Sequence, residues 1–370
     1  MSLFANDVAF IAIFFSTTQS ERKTAYIHAV CSELEMRKEY LGGETIETIY
    51  WGGGTPSQLD KEDFETIFYY LHKNYSISSH PEITLEANPD DLTPDYIAML
   101  RTLPFNRLSM GIQTFNESIL KVLQRRHTAR QAIEAFQNCR AAGFQNISID
   151  LMYGLPGETL STWQQDLDQA LLLHPEHLSA YHLIYEEDTV LWKLREQHKV
   201  EEADEDLSVS LFSTLIDRLT SEGYDHYEIS NFSLPGLYSR HNSSYWTEKK
   251  YLGCGPSAHS YNGVSRQWNV ASLDTYIKGI SAGTPVFEIE ELDLYTRYND
   301  FVITRIRTEW GMPLSKLRDE FGEKLYDYCL RMAAPHLKQG TLELVNDILK
   351  LTRKGIFISD GIMSDMLWTD

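Results

Sequence analysis

Cysteine is scarce in this chain of 370 residues. It has four, Cys31, Cys139, Cys254 and Cys329, all far apart. No CxxC pair exists, so no zinc or cluster site is assembled from neighbouring residues. Such usage fits free, buried thiols in a reducing compartment. Positive charge is also in short supply, with 33 Lys+Arg against 53 Asp+Glu and a net charge of −20. The deficit is confined to the first 295 residues, which carry 22 basic against 42 acidic side chains, while residues 296–370 balance 11 against 11. An acidic body repels phosphate backbones, which makes nucleic acid a poor partner for it; the excess serves solubility. Long apolar runs are missing too. Val8 to Phe15 is too short to span a bilayer and has no basic residue before it, so neither an anchor nor a signal peptide is expected, and the chain is assigned to the cytoplasm.

Short apolar runs alternate with amphipathic stretches. Strands are expected at Thr48–Trp51, Glu82–Glu86, Arg107–Gly111, Asn146–Met152, His177–Leu183 and Asp225–Ser230, with the N-terminal run as a further one. Helices are expected at Thr24–Tyr40, Lys61–Tyr75, Pro94–Thr102, Glu117–Gln124, Ala129–Ala142, Leu160–Leu173 and Asp204–Glu222. This alternation argues for βα units around a parallel sheet, an α/β barrel or part of one, with too few strands for the full eight. Residues 1–230 form that unit. Residues 231–294, rich in Asn, Ser, Tyr and Gly, read as an extension of loops and short strands. Residues 295–370 read as a small, mainly helical domain of winged-helix type with a turn at Lys354-Gly355, and their charge balance favours a protein-interaction or lid role over DNA binding.

The motifs fall at the carboxyl ends of the expected strands, where such sheets place their chemistry. Gly52-Gly53-Gly54-Thr55-Pro56-Ser57 lets a ligand approach the backbone, although a ligand-free βα turn would need the same glycines. Glu86, in Glu86-Ala87-Asn88-Pro89, offers a carboxylate to hydroxyls or an amine; alone it would pass as a turn residue. Gln113 brings donor and acceptor to the sheet rim. Arg125 is suited to bidentate pairing with a carboxylate, or else is a surface arginine beside Arg126. Asp150 interrupts an apolar strand, and a carboxylate is costly there unless paired. His241-Asn242-Ser243-Ser244-Tyr245-Trp246 and Gly253-Cys254-Gly255-Pro256-Ser257-Ala258-His259-Ser260 hold side chains that ligate iron or stack on a flat macrocycle; each histidine taken singly is more simply a packed, hydrogen-bonded one.

Taken in order, GGGTPS, EANP, GIQTF, DLMYGLPG, HNSSYW and GxGPSAHS resemble the radical-SAM proteins related to oxygen-independent coproporphyrinogen III oxidase, and within them the heme-chaperone branch. The resemblance covers essentially the whole chain. It implies a partial (β/α)6 barrel, a [4Fe–4S] cluster held by a CxxxCxxC triad, and S-adenosylmethionine chelated to its unique iron and cleaved reductively to a 5′-deoxyadenosyl radical. It implies that Gly52, Gly53 and Thr55 hold the methionine amino end, that Glu86, Gln113, Arg125 and Asp150 are polar cofactor contacts, and that Ile184 lines the adenine. In the chaperone branch heme is bound and passed to apo-hemoproteins, with His241, Cys254 and His259 the candidate iron ligands here. The oxidase, which decarboxylates a porphyrinogen, is the alternative. It has a long extension before its cysteines and a further Cys after them; this chain begins four residues before Ala5 and has Phe14 at the second position, which favours the chaperone branch.

The triad itself is absent. Ala5, Ala9 and Ala12 stand at its spacing, and Ile13 replaces the following Asp. Natural loss would leave a cluster-free heme-binding pseudo-enzyme. Because such drift would also erode the cofactor pocket, an altered chain or a wrongly assigned segment is favoured, and the unaltered form is expected to carry the cluster. Sequencing the encoding gene should reveal cysteine codons at positions 5, 9 and 12; alanine codons at all three would overturn this.

Overall fold

The computed structural model describes residues 8–14, 20–187 and 189–369. Ala5 and Phe15-Ser16 lie outside them. Six parallel strands, adjacent in chain order, form the barrel wall: β1 (Val8–Phe14), β2 (Thr45–Gly52), β3 (Ile77–Ala87), β4 (Arg107–Gln113), β5 (Ile147–Tyr153) and β6 (His177–His182). The crossovers are α1 (Ser20–Met36), α2 (Lys61–Asn74), α3 (Pro94–Leu100), α4 (Glu117–Val122) with α5 (Ala129–Ala141), and α6 (Leu160–Leu173). This is the partial (β/α)6 barrel. Its helices start where the sequence offers caps: Asp60 and Asp63 form a capping box on α2, and Thr159 and Thr162 do so on α6, which spans the expected residues. The strands carry Val, Ile and Leu on both faces because helices cover one side and the barrel interior the other. Trp51, fully buried on β2, packs its edge against Phe64 and Phe105 at 5.1 and 5.8 Å and lies 5.1 Å from Phe68.

After β6 come α7 (Val190–Glu196), α8 (Glu205–Ser221) and a hairpin, β7 (Asp225–Glu228) and β8 (Asn231–Ser233), with β8 antiparallel to β6. The strand expected at Asp225–Ser230 is thus β7, which follows α8 and runs in the direction of the barrel strands but is separated from β6 by the antiparallel β8. Only two residues separate it from β8, and a connection that short permits only an antiparallel neighbour. A strand paired directly and in parallel with the barrel comes from the loop-rich extension. Past α9 (Arg240–Tyr245), β9 (Tyr251–Cys254) pairs with the other edge of β1. β10 (His259–Tyr261), β11 (Ser265–Asn269), α10 (Leu273–Ser281) and β12 (Phe287–Glu291) complete a twelve-stranded mixed sheet.

Glu33, a buried carboxylate on α1, pins this extension. It accepts from the Gly255 N–H at 2.9 Å, Asn269 Nδ2 at 2.8 Å, the Tyr276 hydroxyl at 2.7 Å and Arg37 at 3.1 Å. Its charge is thus matched by donors from three elements, the condition for burying one at tolerable cost.

The C-terminal part comprises α11 (Leu294–Ile306), β13 (Met312–Pro313), α12 (Leu314–Gln339), the hairpin β14 (Leu342–Val345) and β15 (Ile348–Leu351), α13 (Arg353–Ile356) and α14 (Ser359–Met366). Helices followed by a two-stranded wing match the expected type. α12 breaks at Gly322, where φ is 79°. The turn expected at Lys354-Gly355 is instead the short α13, and Gly355 is required because a Cβ there would meet the Thr341 carbonyl at 1.9 Å. Among the described residues no helix is long and apolar enough to cross a membrane.

Two glycines make opposite predictions. A Cβ on Gly253 would lie 2.2 Å from the His259 carbonyl oxygen, whereas one on Gly361, inside α14, meets nothing within 4 Å. Gly253→Ala should lower stability by about 1–3 kcal/mol through backbone displacement. Gly361→Ala should raise it by up to about 1 kcal/mol. Urea midpoints of the two variants check both.

Candidate functional site

At the carboxyl ends of β2 to β6 lies a polar cavity of about 300 Å³. Its walls include Thr55, Glu86, Gln113, Arg125 and Asp150, so five of the residues singled out from sequence converge on one space.

The glycine turn leaves β2 and folds against Glu86. A Cβ at Gly52 would lie 2.6 Å from Tyr50 Cε1 and 2.7 Å from the Glu86 carboxyl, so only glycine lets the strands close here. Gly53 has φ 80° and donates its N–H to Glu86 Oε2 at 3.1 Å. The other Glu86 oxygen accepts from the Tyr50 hydroxyl at 2.6 Å. Burial raises the Glu86 carboxyl to about 7, against the Tyr50 hydrogen bond, with the Asp150 charge adding to the rise. Asp150, on β5, is likewise pushed up to about 6 by burial, offset by hydrogen bonds from Ser179 and Ser109 and by the charge of Arg107. Its two oxygens lie 3.3 Å from the Ser109 hydroxyl.

Gln113 ends β4 with φ 71°, beside the register break between Gly111 and Gln113. A left-handed backbone at a non-glycine residue is strained, and such strain concentrates where a side chain is aimed at a ligand. Arg125 follows the turn after α4. Its Nη2 donates to Asn88 Oδ1 and to the Gly111 carbonyl, each at 2.8 Å, and its buried Nε has no protein partner. Burial lowers its pKa, so a carboxylate arriving at this guanidinium is favoured.

Other expected residues are placed elsewhere. Ile184 is 76% exposed and lines a neighbouring groove with Gln124 and Val190, not this cavity. His241 is buried; its Nδ1 meets the Thr48 hydroxyl at 2.7 Å, its Nε2 lies 3.3 Å from the Tyr245 hydroxyl, and its ring stacks on Tyr50 at 4.7 Å. Burial pulls it down to about 3, and because both ring nitrogens are engaged it is a packing residue that offers iron no nitrogen in this arrangement. Cys254 is fully buried on β9, its thiol pushed well above the usual range by burial, while His259 is exposed on β10 against Trp268. The three do not converge. Ala9 and Ala12 are buried inside β1, and neither lines the cavity. Ala5 lies outside the described residues. Tyr50, Asn88, Ser179, Tyr181 and Asn242 also line the cavity. For Tyr50, Ser179 and Tyr181 a polar or aromatic residue in an apolar strand was the available signal, Asn88 and Asn242 lie off the strands and offered none of that kind, and only Asp150 was conspicuous enough to use.

The carboxylates yield a prediction with a definite sign. Glu86 has a folded pKa above its unfolded one, so the folded chain binds its proton more tightly. The destabilising ionised form appears as pH rises through about 7 and is relieved below it. Glu86→Gln should therefore raise the Tm at pH 8, with the gain shrinking towards zero by pH 5. Equal Tm differences at both values would show that Glu86 is not desolvated.

Residues 18–170 match the Radical SAM superfamily and residues 292–358 the HemN C-terminal domain. The first match begins beyond Ala5, Ala9 and Ala12. The chain is 32% identical over 343 residues to the heme chaperone HemW of Mycobacterium tuberculosis, covering 92% of this chain and 86% of that one. It is 30% identical over 351 residues to HemW of Bacillus subtilis, covering 94% and 93%. Its fold matches that of the radical-SAM enzyme coproporphyrinogen III oxidase (HemN) from Escherichia coli with a TM-score of 0.83 at 22% identity, over 97% of this chain and 89% of that one. Radical-SAM folds in general imply S-adenosylmethionine and a [4Fe–4S] cluster. With this barrel, this cavity and these relatives, the chain belongs to the HemW heme-chaperone family of radical-SAM proteins.

Proposed function

We propose that this chain binds heme for transfer to apo-hemoproteins in the cytoplasm, and that it keeps a cavity for S-adenosylmethionine while presenting no residues for an iron–sulfur cluster. One observation carries the second half. Glu86, Gln113, Arg125 and Asp150 converge at the strand ends, yet no cysteine lines that cavity. All four cysteines are buried, and burial raises their thiols, Cys31 and Cys139 to about 12 and Cys329 to about 11. Iron ligation needs the thiolate. Among the described residues no group of three His, Cys, Asp or Glu is arranged to hold a metal.

The cavity does fit the organic cofactor. Glu86 and the turn at Gly54-Thr55 would hold its amino end, with Gly52 and Gly53 shaping the turn behind them, Gln113 and Asp150 its hydroxyls, and Arg125 its carboxylate through the guanidinium edge that has no protein partner. When bound, that cofactor supplies a sulfonium centre. The chain's own residues orient it: Tyr50 fixes Glu86, Asn88 and Gly111 fix Arg125, and Ser109 holds Asp150. The chain as written has no group to deliver an electron there. The heme half rests on the chaperone relatives and on the aromatic residues of the HNSSYW segment.

The test is anaerobic incubation of the chain with S-adenosylmethionine and dithionite, alongside a heme titration. No 5′-deoxyadenosine and a saturable heme spectrum are expected. Release of 5′-deoxyadenosine would overturn the cluster-free reading, and conversion of coproporphyrinogen III would make the chain an oxidase.

A further inference from the structure

A second cavity, of about 500 Å³, opens between the extension and the C-terminal helices. Aromatic side chains dominate one wall. Tyr245 and Trp246 come from the end of α9, Tyr251 and Tyr261 from β9 and β10, and Phe321 faces them from α12. Tyr245 and Tyr251 lie with ring centroids 5.0 Å apart, and Tyr251 and Tyr261 6.1 Å apart.

The charges here are unequally spent. Arg266 is paired with Glu290 and Asp300, each at 3.3 Å, and Lys316 with Glu248 at 3.0 Å. Lys249 and Arg297 line the same space, and among the described residues neither has a carboxylate within ion-pair distance. Burial lowers the Lys249 ammonium, and the charge of Glu47 offsets only part of that. Two further donors, Arg297 Nε and Trp246 Nε1, are buried without a hydrogen-bond partner. Buried donors left unmatched are uncommon and costly, and a bound acceptor removes the cost. Aromatic walls with surplus cations suit a flat, unsaturated ring that carries carboxylates. His241, Cys254 and His259 are not among the lining residues.

We propose that this interdomain groove is a binding site for a planar tetrapyrrole carboxylate, gripped by its ring faces and by Arg297 and Lys249 rather than through histidine or cysteine ligation of its iron. The proposal rests on the heme reading above and adds to it a location and a mode of recognition. A ligand held this way is recognised with or without metal, and no strong axial bond has to break before it leaves.

Hemin and metal-free protoporphyrin IX should be titrated separately into the intact chain, with absorbance and tryptophan quenching as readouts. The same titrations should be run on Trp246→Phe and on the double variant Lys249→Gln, Arg297→Gln. Both ligands should bind wild type with affinities within about threefold of each other. The double variant should weaken both by about tenfold or more, the scale of a lost charge-assisted contact, with an unchanged circular dichroism spectrum. Should that variant unfold, Trp246→Phe still reports, because its indole N–H is lost and both ligands should bind more weakly. Hemin binding that ignores every variant places the site elsewhere and overturns the proposal while the heme reading stands. Hemin binding without protoporphyrin binding shows that iron ligation dominates and overturns it as well. If neither ligand binds wild type, the proposal and the heme reading fall together.

Discussion

A carboxylate held out of water at the end of β3 sets the geometry of everything around it. Glu86 is affordable only because the Gly53 N–H and the Tyr50 hydroxyl both donate to it, and each donor imposes a further condition. The first requires the bare backbone of Gly52, since a Cβ there would strike both Glu86 and Tyr50. The second requires that Tyr50 stay still, which its stacking on His241 secures. His241 is in turn fixed by the Thr48 hydroxyl and by Glu82, which accepts its backbone N–H at 2.9 Å. The chain of constraint ends in α9, whose Asn242 lines the strand-end cavity and whose Tyr245 lines the interdomain groove. One helix is thus a wall of both spaces.

The two spaces differ in electrostatic character. The strand-end cavity sets two desolvated carboxylates, Glu86 and Asp150, against Arg125, with Arg107 buried nearby. Under the proposed function, this arrangement suits a ligand that brings positive charge as well as a carboxylate. The groove has cations in excess of its local acids, in a protein whose overall charge is strongly negative. A bulk charge of −20 therefore says nothing about either site, because short-range fields inside low-dielectric clefts are set by the few groups that line them.

Much of the barrel was legible in the residues. Strands β2 to β6 and helices α1 to α6 fell where apolar runs and Ser, Thr and Asp caps put them, because each is a local pattern with a local stop signal. Of the residues that line the strand-end cavity, Asp150 and the glycine turn before Thr55 stood out by themselves, because a charge in an apolar strand is costly unless used, whereas Glu86, Gln113 and Arg125 were picked out by the order of motifs. What was missed is non-local. Nothing around Asp225 says that its strand turns straight back, and nothing in Tyr251–Cys254 says that it adds to the edge of β1. Ile184 kept its place in the order of motifs, yet its side chain faces a different groove. Likewise His241 and Cys254 have the chemistry of iron ligands, and only packing reveals that both are already consumed. A side chain's type is written in the chain, whereas its availability is a property of its neighbours.

The four cysteines have a use of a different kind. Cys31 sits in α1, Cys139 in α5 and Cys254 in β9, all in the barrel's hydrophobic core, and Cys329 in α12, in the core of the C-terminal part. All are buried single thiols, so a reagent meets each one only when its own region opens. The chain therefore contains an internal stopwatch in each of its two cores. Their relative labelling times under mild denaturant rank the order in which its parts come undone, without a single engineered probe.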